Sequence, residues 1–226
     1  MRKNPLLIDE TYHIFTRSIA DFKVFNKSSD YVQLQRLMKY YQFQNDLRFS
    51  DFVELELVGA EGFNKAIEIV SKDKERLVQI IAYCLMQTHI HLILKQLSEN
   101  GISRFMKDLL ISYTRTFNLI HKRKGPLWES RFQSVLVDSD EQLLHLTRYV
   151  HLNPVTARLI DNPEDWKFSS YNEYIGNDNN NANNNNAKIC QFDDLLDVKP
   201  TSYRKFVNDR ISYQRELAKI KSTMID

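Results

Sequence analysis

Two apolar runs, Leu77–Leu85 and His89–Lys95, are separated only by Met86-Gln87-Thr88. Both are rich in β-branched and aromatic residues and read as strands. A three-residue connection cannot carry a parallel crossover, so the two runs must form an antiparallel hairpin. Side chains alternate across a strand, which puts His89 and His91 on one face and Ile90 and Leu92 on the other. Two imidazoles at adjacent same-face positions lie within reach of one divalent cation. Two ligands are too few for a tight structural zinc site. They suit a loosely held catalytic ion completed by another side chain, water and substrate phosphate. Taken alone, such a pair is more often two half-exposed surface histidines than a metal site.

The neighbouring segments supply the rest of a mixed fold. Tyr12–Ser18 alternates and reads as a strand. Asp30–Gln44 carries a helical stripe of Tyr31, Leu34, Leu37, Met38 and Tyr41, with Ser28 and Ser29 as candidate caps. Residues 45–75 read as an irregular connector with one helix around Gly62–Val70. Ile102–Arg123 is a long helix, with Gly125-Pro126 as its stop. Phe132–Val137 is a strand, and Glu141–Leu152 a helix ended by Asn153-Pro154. The order strand, helix, two strands, helix, strand, helix predicts an α+β protein, a ferredoxin-like antiparallel sheet with helices packed on one face.

The tract from Asn177 to Asn186 is almost all asparagine and cannot bury apolar surface. It divides the chain into a main domain over 1–176, a flexible linker over 177–187, and a helical tail over 188–226. In the tail, Phe206, Ile211, Tyr213, Leu217 and Ile220 recur at roughly helical spacing, fit for docking back or binding a partner. The composition, 42% hydrophobic and 27% charged, is that of a folded protein with ample core. No apolar run approaches membrane-span length, so no membrane partner is expected. The start of the chain lacks signal-peptide features, and the two cysteines, Cys84 and Cys190, have no metal spacing. These readings favour a cytoplasmic protein. A net charge of +2 excludes a globally basic nucleic-acid binder, so any such contact must be local.

Two further groups of residues carry chemistry. His145, Tyr149 and Asn153 are spaced by four and share one helical face. Tyr149 offers a phenolic nucleophile and Asn153 a neutral oxygen ligand. Without further context the favoured reading is a core aromatic at Tyr149 and a helix end at Asn153-Pro154. Tyr113 is a rival nucleophile, but Leu109 and Phe117 beside it indicate burial. The segment from Arg115 through Lys122, Arg123 and Lys124 to Trp128 and Arg131 interleaves cations with an aromatic. That suits a single nucleic-acid strand, with charges along phosphates and the ring stacked on a base. A solvated basic helix end has the same composition.

The run from Ile80 to Leu92 containing His89-Ile90-His91 resembles the His-hydrophobic-His motif of the single-tyrosine HUH transposases. The run from Leu144 to Val155 containing Tyr149 and Asn153 is similar to the tyrosine-bearing helix of that superfamily. The intervening Ser112–Asn118 and Gly125–Phe132 resemble it too. Among these IS200-like enzymes the chain most resembles the REP-associated tyrosine transposases, from about Pro5 to Gly176. Many relatives carry Pro-Asn before the first histidine where this chain has Gln87-Thr88. The resemblance implies His89, His91 and Asn153 as ligands of Mg²⁺ or Mn²⁺, and Tyr149 as the catalytic nucleophile. It implies metal-dependent nicking and joining of single-stranded DNA through a 5′-phosphotyrosine intermediate, on hairpin-forming repeats, with no nucleotide cofactor. Such relatives include dimers that donate the tyrosine in trans and monomers that keep it in cis. Two alternatives stay open: a silent protein that grips hairpin DNA or RNA, and a hydrolase using His89 and His91 to activate water.

Overall fold

The computed structural model describes residues 5–177 and 188–216. In chain order the elements are β1 (Thr11–Arg17), α1 (Ser28–Tyr41), α2 (Phe49–Val53), α3 (Glu56–Glu61), α4 (Phe63–Ser71), β2 (Val78–Leu85), β3 (His89–Gln96), α5 (Gly101–Ile120), β4 (Gln133–Leu136), α6 (Asp140–Thr156), α7 (Tyr171–Tyr174) and α8 (Pro200–Asn208). The four strands form one antiparallel sheet in the order β2-β3-β1-β4. A strand–helix–strand pair–helix–strand path with that spatial order is the ferredoxin-like arrangement. The expected α+β fold is therefore present, with the β2–β3 hairpin closed by Met86 N–H donating to the His89 carbonyl at 2.8 Å.

The sheet has two differently used faces. Tyr83 lies opposite Leu92, and its hydroxyl accepts from Gln35 of α1 at 3.0 Å. Gln96, two residues beyond Leu94, accepts from the Ile102 N–H at the start of α5 at 3.2 Å. The face of Ile90, Leu92 and Leu94, all fully buried, is thus covered by α1 and α5. α6 goes to the other face, where Tyr149 meets His91. The helices therefore do not all share one face. The reason is chemical: the first face is a continuous apolar layer, while the second carries the histidines and receives the helix with polar side chains.

Local boundaries follow side-chain hydrogen bonding. At α1 the cap is not Ser28 or Ser29, which are its first helical residues. The Asp30 carboxylate reaches back to accept from the Asn26 and Lys27 N–H groups, both at 2.9 Å. The connector over 45–75 holds three short helices where one was expected, with Gly62 at φ 81° breaking α3 from α4. α5 ends at Ile120, ahead of Gly125, because Lys122 adopts φ 50°. At its other end Gly101 lies against the Leu77 carbonyl, where a Cβ would come within 2.1 Å of the oxygen. α6 starts on Ser139, whose hydroxyl accepts from the Gln142 N–H at 3.2 Å. It does not stop at Asn153-Pro154 but runs on to Thr156. Pro154 removes one donor, that for the Val150 carbonyl, and the Asn153 amide donates there instead at 3.4 Å.

The edge strand β2 is shielded by returning chain. Leu85 donates to the Phe168 carbonyl, Ser170 donates to the Tyr83 carbonyl, and Gln191 donates to the Ile80 carbonyl, at 2.9–3.0 Å. The proposed linker lies, apart from Asn177, outside the described residues, as do Leu217 and Ile220. Beyond it the chain docks on the main core: Ile189, Phe192, Leu196, Tyr203 and Val207 are buried in the same apolar cluster. α8 is fixed to α6 by Tyr203, whose hydroxyl lies 2.7 Å from His151 Nδ1 and 2.9 Å from Thr147 Oγ1. Arg148 stacks on the Phe206 ring at 4.0 Å. Residues 211–216 are helical again. Among the described residues no helix is long and apolar enough to cross a membrane.

Candidate active site

The register of β1 on β3 pairs Phe15 with His91 and Arg17 with His89, so His13, Phe15 and Arg17 share the histidine face. His13 Nε2 lies 3.0 Å from His91 Nδ1, with the two rings stacked at 5.2 Å. Tyr149 comes down from α6 onto this pair. Its ring meets His91 edge-on at 5.9 Å and His13 edge-on at 6.1 Å. His89 stands edge-on to His91 at 5.1 Å. Tyrosine and histidines therefore meet within a single chain. His13 escaped sequence reasoning. Its one signal was alternation in Tyr12-His13-Ile14-Phe15, which places it opposite the buried Ile14.

The hydrogen bonds orient the imidazoles. His91 Nδ1 is engaged by His13, and His89 Nδ1 lies 3.0 Å from Thr88 Oγ1. Both histidines therefore have Nε2 as the edge available to a ligand. Asn153 sits one turn beyond Tyr149, with its amide nitrogen on the Val150 carbonyl and its oxygen left as an acceptor. Among the described residues no group of three or more His, Cys, Asp or Glu could hold a metal ion. His13 Nε2 is turned toward His91 and engaged there.

Burial keeps all three imidazoles neutral. It lowers His13 and His89 to about 4 and His91 to about 3, with Arg17 pushing His89 further down and His89, His13 and Arg17 acting on His91. Burial, with a smaller contribution from Cys84, raises the Tyr149 phenol above its usual value. Tyr149 nonetheless remains 41% exposed, open to a substrate. Tyr113 is 2% exposed and donates to the Val24 carbonyl at 2.7 Å. Its hydroxyl is thereby committed inside the core.

Acid stability follows from the sign of these shifts. The unfolded histidines take up protons near 6.5, well above the values in the fold. Above that pH their contribution is complete, and it is lost as pH falls toward 4 and 3. Fully buried His151, lowered to about 3, acts in the same direction. The unfolding free energy from urea titration should fall between about pH 7 and about pH 4.5, by roughly 2–3 kcal/mol per fully buried imidazole, and the midpoint with it. A midpoint unchanged over that window would contradict the buried, neutral state.

The basic segment is less uniform than its sequence. Arg115, Lys122, Lys124 and Arg131 are exposed. Arg123 instead staples its own loop, donating to Asn118 Oδ1 at 3.1 Å and to the Pro126 carbonyl at 2.8 Å. Trp128 is only 9% exposed, which leaves its ring packed against Tyr113 rather than open for stacking. Arg17, near the histidines and 3.9 Å from Asp21, is the cation nearest the site in register.

Comparison with known proteins agrees with the resemblance of the motifs. Residues 59–153 match the family described as "Transposase IS200 like". That span holds β2, β3, α5, β4 and the part of α6 bearing Tyr149 and Asn153. A Haemophilus influenzae protein described as a REP-associated tyrosine transposase is 28% identical over 111 residues, covering 43% of this chain and 61% of that relative. The chain thus matches less than two thirds of the relative's length. A solved structure titled "Structure of the REP associates tyrosine transposase bound to a REP hairpin" superposes with a TM-score of 0.46 at 14% identity, covering 88% of this chain and 98% of that one.

Proposed function

We propose that this chain is a single-tyrosine transposase that nicks and joins single-stranded DNA, on strands beside hairpin-forming repeats. The observation that carries the reading is the seating of Tyr149 against the His13–His91 pair, with His89, His91 and Tyr149 inside the segment of IS200-like sequence. His89 and His91 through Nε2, and Asn153 through its amide oxygen, would hold Mg²⁺ or Mn²⁺. Neutral imidazoles with the other nitrogen already occupied fit such an ion, with waters and phosphate oxygens filling the remaining positions. The ion would act as a Lewis acid on the nonbridging oxygens of the scissile phosphate.

The chain's own groups perform the remaining steps. Tyr149 Oη attacks phosphorus, the bond from phosphorus to the 3′ oxygen breaks, and that oxygen leaves as a 3′-hydroxyl with the proton lost by the phenol. The 5′ phosphate stays on the tyrosine. Attack by a different 3′-hydroxyl reverses the step and restores the phenol, so one phosphodiester is exchanged for another. Arg17 lies beside His89 to meet phosphate charge.

Strands labelled at either end and incubated with and without Mg²⁺ test the reading. A protein-linked strand that appears only with the ion supports it. Free products without attached protein would indicate hydrolysis by activated water, and binding without cleavage would indicate a silent hairpin binder. His13 has its own expected effect. His13→Phe keeps the ring and removes the bond to His91, and should weaken Mn²⁺ binding by about 10–100-fold. Calorimetric titration with Mn²⁺ reads it; an unchanged affinity would remove His13 from the site.

A further inference from the structure

A cavity of about 910 Å³ is lined by α5 and the loop 126–132, and α5 covers the sheet face opposite the histidines. Its floor is apolar, from Met106, Leu110, Leu127 and Phe132. Three exposed cations, Lys107, Arg115 and Arg131, stand around it, and no acidic residue lines it. Among the described residues none of the three forms an ion pair. The wall also holds Trp128, whose Nε1 is buried without a hydrogen-bond partner. An indole N–H can only donate, so it calls for an acceptor.

Apolar surfaces ringed by unpaired cations, with hydroxyls of Ser103 and Thr114 among the lining, match one chemical object. It is an unpaired nucleobase whose flanking phosphates stay outside. The base has two apolar faces and edge acceptors, while the phosphates need Arg and Lys. The loop is tied to the catalytic strand: Glu129 donates to the Arg17 carbonyl at 3.0 Å and Ile19 donates to the Leu127 carbonyl at 3.1 Å, beside the register pair of Arg17 and His89. We propose that this cavity takes one unpaired base of the DNA substrate, with Arg115 and Arg131 on the adjoining phosphates. The inference rests on the single-strand reading above. It adds a second point of grip, separate from Tyr149 and the histidines, that selects where along a strand the protein sits.

The test uses the full chain and 2-aminopurine walked one position at a time along a single strand that the protein binds. One position should change fluorescence on binding, and an abasic site there should weaken binding about tenfold, one well-made contact's worth. Ile111→Trp, at the exposed rim, should fill the cavity and erase the difference between base and abasic site. Trp128→Phe should reduce that difference while keeping the ring. Equal response at every position, or an abasic penalty unchanged in Ile111→Trp, would overturn the proposal. Tyr149-dependent adducts persisting alongside that result would leave the nicking reading standing. A chain that binds no single strand at all would overturn both.

Discussion

Replacing Tyr149 with Phe should abolish covalent protein–DNA adducts while leaving strand binding within about twofold of the original. The substitution deletes one oxygen from a ring that is 41% exposed and stands roughly perpendicular to the His13 and His91 rings. Packing is therefore retained, and a loss of adduct cannot be assigned to unfolding. The effect should be total because covalent attachment needs a nucleophilic oxygen, and Tyr113, the other tyrosine weighed from sequence, is buried and hydrogen-bonded to Val24. A shifted band persisting on a denaturing gel would mean another side chain attacks.

His151→Ala should have the largest effect on stability. His151 is fully buried, with Nδ1 2.7 Å from the Tyr203 hydroxyl and Nε2 2.8 Å from the Ser170 hydroxyl. It thereby joins α6, α8 and the segment that covers the β2 edge. Truncation leaves a cavity and removes both bonds, at a cost of about 3–5 kcal/mol. The fall should appear in the urea midpoint, with Tyr149 and the histidine pair untouched in sequence. A loss below about 1 kcal/mol would show that the tail is not held through this residue.

The hairpin was legible because a three-residue link between two β-rich runs permits nothing else, and strand alternation then fixed the shared face of His89 and His91. The helix of Tyr149 was legible from spacing alone. His13 was not, because its meaning depends on how β1 registers against β3, a long-range pairing that local pattern does not encode. The continuation of α6 through Pro154 was hidden for a different reason. A proline near a helix end costs one hydrogen bond, and Asn153 makes it good locally. Trp128 read as a stacking ring because basic neighbours suggested exposure, whereas its Ser18 bridge partner and Tyr113 draw it into the core. The tail's docking rests on Tyr203 meeting His151, two polar groups whose partnership across the asparagine tract has no sequence signature.

The central claim is that Tyr149, seated on the histidine face, takes the 5′ phosphate of a cut strand. Peptide mapping by mass spectrometry after trypsin addresses it directly, since Arg148 and Arg158 bracket a fragment beginning at Tyr149. After reaction with single-stranded DNA and Mg²⁺ and digestion of the attached strand, that fragment should carry a 5′-phosphonucleotide on its tyrosine. The fragment recovered unmodified while cut strands accumulate, or the nucleotide found on a different peptide, would contradict the account.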